Sequence, residues 1–278
     1  MNNEEYPDQI AVFKGFKVTK VYHKTWQIND HNIDYVYLLE GEDKSLVIDT
    51  GIGIGNLKNI ILSLTDRPLI VVNTHGHVDH ASGNPNFKKI YANIEDFDLI
   101  RQHCSGRLRK LFFEHGRVSK SLIVEGLVEQ RDYKLTPVKD GFTFELGNRT
   151  VKVISLPGHS QGSICLLDVK HRTLFSGDSI VAGPVLIYKS PYLNSTTVKT
   201  FLDGLTRLAK QSNMFNIIYP SHHKIPISNE YLSELIDACM DLINGKGRGE
   251  PFVDSIFGSG LLYQKGRGII AYSKDRII

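Results

Sequence analysis

Short runs in which apolar and polar residues alternate predict a chain built largely of β-strands and tight turns. Residues 10–22 alternate apolar side chains with Lys and Thr and are interrupted at Gly15, which predicts two half-buried strands. Pairs of similar runs around short polar turns predict hairpins, which lie over 35–49, 142–156, 163–175 and 261–272. The polar stretch 26–31 and the segment 183–195, rich in Pro and Tyr, predict loops.

Single apolar runs predict further strands at 69–73, 89–92 and 216–220. Apolar residues at helical spacing predict helices over 57–64, from Thr196 or Thr197 to Gln211, and from Ser228 to Gly245. The segment 94–130 also has helical spacing, with an interruption at Gly106. We interpret its many basic residues as a solvated face; the alternative is a helical cap, inserted over about 94–135, that covers a functional site.

The composition is that of an ordinary globular protein. A chain of 278 residues, 41% hydrophobic and 23% charged, can bury a sizeable core, and we expect one domain over 1–278. The formal net charge of +3 argues against nucleic acid as a partner. Cys104, Cys165 and Cys239 lack a paired spacing and are expected to be reduced, buried thiols.

The sequence contains neither the apolar core of a signal peptide near its start nor a run of roughly 18 apolar residues. We therefore expect a cytoplasmic protein without a membrane partner. Its partner would be a small-molecule substrate, and the formation of a homodimer is left open.

The strand predicted over 69–73 ends in a cluster of side chains that bind metals. His75, His77 and Asp79 alternate with small or apolar residues, so an extended backbone would direct all three to one side. His80 adds a fourth donor at the next position. Burying so many imidazole and carboxylate groups costs free energy unless a ligand compensates, and a divalent metal ion does so. A solvated His-rich turn is the alternative interpretation.

Three other predicted strands run into side chains of the same kind. His159 follows Pro-Gly, Asp178 lies in Ser-Gly-Asp-Ser, and His222 and His223 follow a short apolar strand. Each of these would be unremarkable alone. Because ligand sites gather where strand ends and loops converge, we expect these side chains to share one crevice with the first cluster.

Taken together, these segments resemble the metallo-β-lactamase-fold hydrolase superfamily. The resemblance rests on T-H-G-H-V-D-H, L-P-G-H-S-Q-G-S, F-S-G-D-S and Y-P-S-H-H in that order, and Asp49-Thr50-Gly51 extends it toward the start. It implies an α/β fold of the αββα type, a four-layer sandwich of two sheets with helices outside. It also implies a helical insertion after the first motif and a dinuclear metal site at one edge.

The resemblance further implies a role for each ligand. The first metal would be held by His75, His77 and His159. The second metal would be held by Asp79, His80 and His222, and Asp178 would bind both. Nitrogen and carboxylate donors suit Zn²⁺, and Fe or Mn are alternatives. Motif position favours His222 over His223, whose role stays open, and Asp49 is a candidate to orient a ligating His.

The implied chemistry follows from two metal ions. Two cations about 3.5–4 Å apart lower the pKa of a bridging water, so that hydroxide exists at neutral pH. This hydroxide would attack a carbonyl or phosphoryl centre while a metal stabilises the oxyanion. Asp79 is the candidate catalytic residue, because a ligand close to the water can pass its proton to the leaving group.

The resemblance implies a metal-dependent hydrolase of a small ester, thioester, lactone or amide, similar to the glyoxalase II and acyl-homoserine-lactonase branches. Val181 stands where those lactonases carry Tyr, and Asp178 stands where one branch of true β-lactamases carries Cys, so a true β-lactamase is not expected. A phosphodiesterase that acts on a small phosphodiester or nucleotide is the alternative. A degenerate binding protein is disfavoured because every ligand position is filled.

Two segments rich in aromatic residues are candidate walls of the crevice, where substrates are selected. We expect Phe113 of the insertion and Tyr188 and Tyr192 of the later loop to contact a hydrophobic acyl or aryl group. Packing of the insertion onto the sheet is an equal alternative for Phe113. Lys189 or Arg109 would hold an anionic end of the substrate.

Overall fold

A computed structural model describes residues 9–114, 126–254 and 256–278. The first half of the chain forms an eight-stranded sheet whose strands lie side by side in chain order. Neighbours are antiparallel from the first strand to the fifth and parallel from the fifth to the eighth. The strands are β1 (Gln9–Phe13), β2 (Phe16–Tyr22), β3 (Thr25–Asp30), β4 (Asp34–Glu40), β5 (Ser45–Ile48), β6 (Leu69–Val72), β7 (Lys89–Asn93) and β8 (Lys134–Val138).

The second half forms two further sheets. A six-stranded sheet has the order β15-β14-β12-β11-β10-β9, and a four-stranded sheet has the order β13-β18-β17-β16. The strands of the larger sheet are β9 (Thr143–Glu145), β10 (Thr150–Ser155), β11 (Ile164–Asp168), β12 (Thr173–Gly177), β14 (Ile217–Pro220) and β15 (Ile227–Ser228). The strands of the smaller sheet are β13 (Pro184–Ile187), β16 (Glu250–Asp254), β17 (Gly258–Lys265) and β18 (Gly268–Tyr272).

Six α-helices lie in the described part of the chain. They are α1 (Leu57–Leu64), α2 (Val78–Ala81), α3 (Phe97–His103), α4 (Gly106–Glu114), α5 (Val198–Ala209) and α6 (Tyr231–Ile243). Within the described ranges, the helices are too short and too polar for any of them to cross a membrane.

The two larger sheets pack face to face and have helices on their outer faces. Leu39 and Val72 of the first sheet share a buried layer with Leu166 and Phe175 of the second. Helix α1 packs onto the outer face of the first sheet, and α5 and α6 pack onto the outer face of the second. Burial of apolar side chains in three layers holds this arrangement together. The predicted αββα sandwich is confirmed.

All four predicted hairpins are present, but the loop predicted at 26–31 is wrong. Strand β3 lies there, between β2 and β4. Polar residues at buried positions obscure the apolar pattern of this strand, and some of them form hydrogen bonds inside the protein. Asp30 Oδ2, for example, accepts a hydrogen bond of 2.9 Å from the Ile52 N–H.

The loop predicted over 183–195 also contains a strand. Strand β13 pairs in parallel with β18, more than eighty residues further along the chain. It is an edge strand, which is where a sheet tolerates Pro184. A partner so distant in sequence leaves no local signal of pairing.

The predicted helix boundaries are partly right. Thr197 caps α5, with its Oγ1 accepting a hydrogen bond of 3.1 Å from the Thr200 N–H, as predicted. Ser228 does not cap α6: it lies in β15, and its Oγ accepts from the N–H of Glu230 just before the helix begins. Gly245 follows the end of α6 with a φ of +68°, as a helix-ending glycine does.

The segment predicted to be helical over 94–130 is divided. Helices α3 and α4 are separated just before Gly106, as predicted, whereas residues 126–130 are not helical. Residues 115–125 of the predicted cap lie outside the described residues. The cap itself stays a prediction.

Candidate metal centre

The seven predicted ligands come together where four strands end. His75 and His77 follow β6, and the short helix α2 carries Asp79 and His80. The remaining ligands follow β10, β12 and β14, and they are His159, Asp178 and His222. Side chains that are far apart in sequence thus meet at one edge of the sandwich, in three overlapping sets of three residues, and the ligand atoms within each set lie within 4.8 Å of one another.

Three imidazoles form one compact group. His77 Nδ1 lies 3.0 Å from His75 Nε2 and 2.9 Å from His159 Nε2. Ligands around a tetrahedral zinc at about 2.0–2.1 Å would be spaced by roughly 3.3 Å, slightly more than these separations. Three ring nitrogens that converge in this way fit one small cation.

The second group combines two imidazoles and two carboxylates. His222 Nε2 lies 3.2 Å from His80 Nε2, 3.4 Å from Asp79 Oδ2 and 3.3 Å from Asp178 Oδ1. Asp178 also reaches the first group, because its Oδ2 lies 3.5 Å from His159 Nε2. Asp178 is therefore placed between the two groups.

Hydrogen bonds to the protein fix which nitrogen of three imidazoles faces the cluster. His77 Nε2, His159 Nδ1 and His222 Nδ1 lie 3.2, 3.2 and 2.7 Å from backbone carbonyl oxygens, to which they donate. The acceptors belong to Leu193, Leu186 and Ile33. Since a neutral imidazole carries one N–H, the opposite nitrogen keeps its lone pair for a metal.

Asp49 orients the other two imidazoles, as predicted for one of them. Its Oδ2 accepts from His80 Nδ1 at 3.1 Å and from Thr74 Oγ1 at 2.7 Å. Thr74 Oγ1 in turn lies 3.1 Å from His75 Nδ1. Asp49 adopts a φ of +65° directly after β5, a conformation that costs free energy and is found at functional sites.

Burial lowers the pKa values of His75, His77 and His159. Neighbouring imidazoles lower them further, and in His75 and His77 the pKa falls well below its usual range. All three side chains are therefore neutral at pH 7. Neutral imidazoles are the form that binds metals.

His80 and His222 behave in the opposite way. Burial opposes their charged form, but the nearby carboxylates outweigh burial and raise both pKa values, that of His222 to about 10. Burial likewise opposes ionisation of Asp79 and Asp178, while the two His cations hold their pKa values below the usual range. In the absence of metal, this group is a buried set of ion pairs.

The backbone at the first motif differs from the extended strand that the alternation predicted. It is extended only up to His77, where α2 begins. The turn into a helix lets Asp79 and His80, which are adjacent in sequence, both reach the second group. The four donors converge as predicted, but the extended backbone predicted for them is wrong.

Sequence reasoning missed a residue that ties two motifs together. Buried Asp96 accepts hydrogen bonds from the Gly76 N–H at 2.9 Å, the Ser160 hydroxyl at 2.6 Å and the Gly162 N–H at 2.8 Å. It therefore holds the loop of His75 beside that of His159. A single Asp at the start of a helix gives no sequence signal for such a role.

The cluster opens into a cavity of about 550 Å³. Its polar part includes Asp79, Asp178 and His222. The apolar part is formed by Ile33, Val181, Pro184, Leu186, Phe252 and Phe257. Tyr35 and His223 also line it.

The predicted substrate residues lie elsewhere. Phe113 and Tyr188 are buried in an apolar cluster that Tyr192 covers, and none of the three lines the cavity. Arg109 donates to the carbonyl oxygens of Gly53 and Val128, so its charge is used within the fold. Aromatic content alone could not distinguish packing from a cavity wall.

Lys189, the other predicted anion-binding residue, is exposed and pairs with Asp275 at 3.4 Å. It does not line the cavity. In the described ranges, the insertion at 94–135 also contributes no lining residue.

Comparisons with known proteins give relatives named as thioesterases. The chain is 30% identical over 182 residues to acyl-coenzyme A thioesterase MBLAC2 of Homo sapiens, a match that covers 54% of this chain and 60% of the relative. The Gallus gallus protein of the same name is 31% identical over 203 residues, covering 67% and 71%. An atrochrysone carboxyl ACP thioesterase of Aspergillus fumigatus is 28% identical over 140 residues, covering 49% and 27%.

Solved structures share the fold at lower identity. ST1585 of Sulfolobus tokodaii, a metallo-β-lactamase superfamily protein, has a TM-score of 0.54 and 21% identity, covering 76% of this chain and 81% of that one. The sec-alkylsulfatase Pisa1 of Pseudomonas sp. has a TM-score of 0.61 and 14% identity, covering 82% and 42%. The profile of the family described as "Metallo-beta-lactamase superfamily" matches residues 32–222, well over half of the chain. This chain belongs to the metallo-β-lactamase superfamily.

Proposed function

We propose that the protein is a hydrolase of acyl thioesters that uses two divalent metal ions. The observation that carries the proposal is the convergence of seven ligand side chains in two groups that share Asp178. Relatives named as acyl-CoA and acyl-carrier-protein thioesterases favour a thioester among the bonds that such a site can cleave.

The donor set fits two metal ions. Asp178 Oδ1 is buried, and its neighbours are two imidazole nitrogens, of His222 at 3.3 Å and His80 at 3.5 Å. Burying a carboxylate is costly unless a cation compensates its charge, and a metal ion would take this place when both imidazoles are neutral. His75, His77 and His159 would hold one ion, Asp79, His80 and His222 the other, and Asp178 both. Nitrogen and carboxylate donors favour zinc among the candidate metals.

Two bound metal ions would supply water activated for attack and a positive charge beside the substrate carbonyl. The chain supplies the remaining functions. Asp79 lines the cavity and stays ionised, so its carboxylate can accept the proton of the attacking water and pass it to the departing thiolate. Asp49 and Asp96 keep the ligating loops in place during this transfer.

The lining of the cavity favours a thioester over a phosphodiester. Among the described lining residues, no Lys or Arg lies outside the ligand cluster to hold the non-bridging oxygens of a phosphodiester. A thioester carbonyl is neutral and needs no such side chain.

A parallel assay tests the proposal. Protein loaded with Zn²⁺ should hydrolyse a short acyl thioester with a higher kcat/KM than a lactone, an aryl ester or a bis-aryl phosphodiester. Asp178→Asn, which removes the charge shared by both groups, should abolish the metal-dependent rate. Faster cleavage of the phosphodiester, or equal rates with and without metal, would contradict the proposal.

A further inference from the structure

The smaller sheet supplies a wall of the cavity. The family match ends at residue 222, yet Phe252, Asp254 and Phe257 line the cavity from the C-terminal part of the chain. They lie on β16 and in the turn between β16 and β17. This wall is therefore an addition of this chain to the part matched by the family.

One of the two aromatic rings of the wall lies beside a predicted metal ligand. Phe257 is 5% exposed, and its ring is nearly parallel to that of His77, with centroids 5.6 Å apart. It also lies along His103, at 6.3 Å between centroids. Phe252 packs on the buried ring of Tyr188 at 6.0 Å. An extended apolar surface thus begins directly beside a predicted ligand.

Hydrogen bonds and close packing hold the described residues of this wall in place. Asp254 Oδ1 accepts from the N–H groups of Ile256 and Phe257 at 2.8 and 2.9 Å. Strand β17 passes so close to the core that a Cβ at Gly260 would lie 3.0 Å from Tyr188 Cβ. At the far end of the hairpin, Lys265 donates to Asp241 of α6 at 2.6 Å. A wall fixed in this way can select a substrate without first being ordered.

We propose that Phe252 and Phe257 form the acyl-binding wall and select a neutral, apolar acyl chain. This inference rests on the proposed thioester hydrolysis. Asp254 is the one carboxylate among the described lining residues that is not a predicted metal ligand, and no Lys or Arg lies there to pair with a chain that ends in a carboxylate. The wall thus determines both the preferred polarity and the preferred length of the acyl group.

Thioesters of one thiol with acetyl, butyryl, hexanoyl and octanoyl groups test the wall. In the unmodified protein kcat/KM should rise by about threefold to fourfold per methylene group buried. Phe252→Ala should lower the octanoyl-to-acetyl ratio of kcat/KM at least tenfold, mainly through KM, whereas Phe252→Leu should restore part of it. Val253→Ala is the matched control, because Val253 is the next residue and is 78% exposed.

Two further measurements separate the possible outcomes. Metal content and thermal unfolding should be the same in Phe252→Ala and the unmodified protein, which excludes a loss of structure. Binding of non-hydrolysable analogues, with a methylene group between sulfur and carbonyl, reports on the wall even if no thioester is cleaved.

Analogue affinity that rises with chain length and falls in Phe252→Ala, without turnover, would contradict the proposed function but support the wall. Turnover with the same chain-length ratio in Phe252→Ala and Val253→Ala would overturn the wall. A heptanoyl analogue bound no better than its ω-carboxyhexanoyl counterpart would overturn the selection for neutral chains.

Discussion

At the scale of single residues, the centre depends on which nitrogen of each imidazole faces inward. In each of the five imidazoles, one ring nitrogen faces the cluster and the other contacts a protein oxygen. Those oxygens belong to three backbone carbonyls, the Asp49 carboxylate and the Thr74 hydroxyl. Removing such a contact typically lowers metal affinity 10–100-fold. The site is therefore organised before any metal arrives.

The adjacent histidines provide a matched pair of variants. His222 Nε2 points into the second group, whereas His223 lines the cavity and belongs to none of the ligand groups. His222→Ala should therefore lose about one metal equivalent per chain and most activity, and His223→Ala should keep both metals. Elemental analysis of the two purified variants is the measurement. The reverse result would mean that His223, and not His222, is the metal ligand.

Metal binding should release protons. Because the pKa of His222 is raised to about 10 and that of His80 is also raised, both carry a proton at pH 7 in the metal-free protein. Each must lose that proton to bind a metal, so apparent affinity should increase as the pH rises toward 10. Calorimetry in two buffers of different ionisation enthalpy should find the release of at least two protons on loading at pH 7.

His222→Ala is the control for this proton count. It removes one protonated side chain and also loses the metal ion that would displace the proton of His80, so the release should fall by about two protons. No net release from the unmodified protein would mean that His80 and His222 are already neutral without metal.

The types of ligand could be predicted from sequence because the first motif contains four donors within six residues. Residues that support the site through contacts with segments distant in sequence could not be predicted. Asp96 connects two loops, and Phe257 stacks on His77, through contacts between segments more than sixty residues apart. Nothing in the neighbouring sequence distinguishes these two residues from other Asp and Phe residues.

At the scale of elements, a buried ion pair joins the two large sheets. Arg149 precedes β10 and donates to Asp168 of β11 at 2.6 Å and to the carbonyl oxygens of Lys24 and Glu40 in the first half. Both side chains are at most 3% exposed. Arg149 therefore connects Asp168 of the second sheet to backbone carbonyl groups of the first half of the chain.

Breaking this pair should destabilise the fold strongly. Asp168→Ala leaves the Arg149 charge buried without its partner, and we expect a loss of about 3–5 kcal/mol in the free energy of unfolding. Denaturation by urea, monitored by circular dichroism, provides the measurement.

Asp203→Ala is the control for a charge of the same type, because it breaks the exposed Lys199–Asp203 pair of α5. It should shift the midpoint far less. Equal shifts in Asp168→Ala and Asp203→Ala would show that the buried pair has no special role.

Elements with local pairing were predictable, and those with distant pairing were not. The hairpin of β9 and β10 is closed by Gly147, whose φ of +81° suits the turn between alternating strands. Strand β13 instead depends on β18, and β3 depends on polar side chains whose partners come from elsewhere. The alternation of apolar residues along a strand indicates neither a pairing strand distant in sequence nor a hydrogen-bonding side chain from another segment.

At the scale of the whole molecule, the centre lies where the two sheets meet. One sheet supplies four ligands and the other supplies three, so the site forms only when both halves are folded together. The motifs were sufficient to predict this arrangement and the family. The position of Pro184 and Leu186 in the cavity was not predictable, because their strand pairs with residues 268–272, far along the chain.

The proposed thioester hydrolysis requires two metal ions per chain. The most direct measurement is a titration of chelator-stripped protein with Zn²⁺ while hydrolysis of a short acyl thioester is followed. We expect the rate to rise until two equivalents per chain are bound and then to stay constant. A plateau at one equivalent, or hydrolysis that does not depend on metal, would contradict the account.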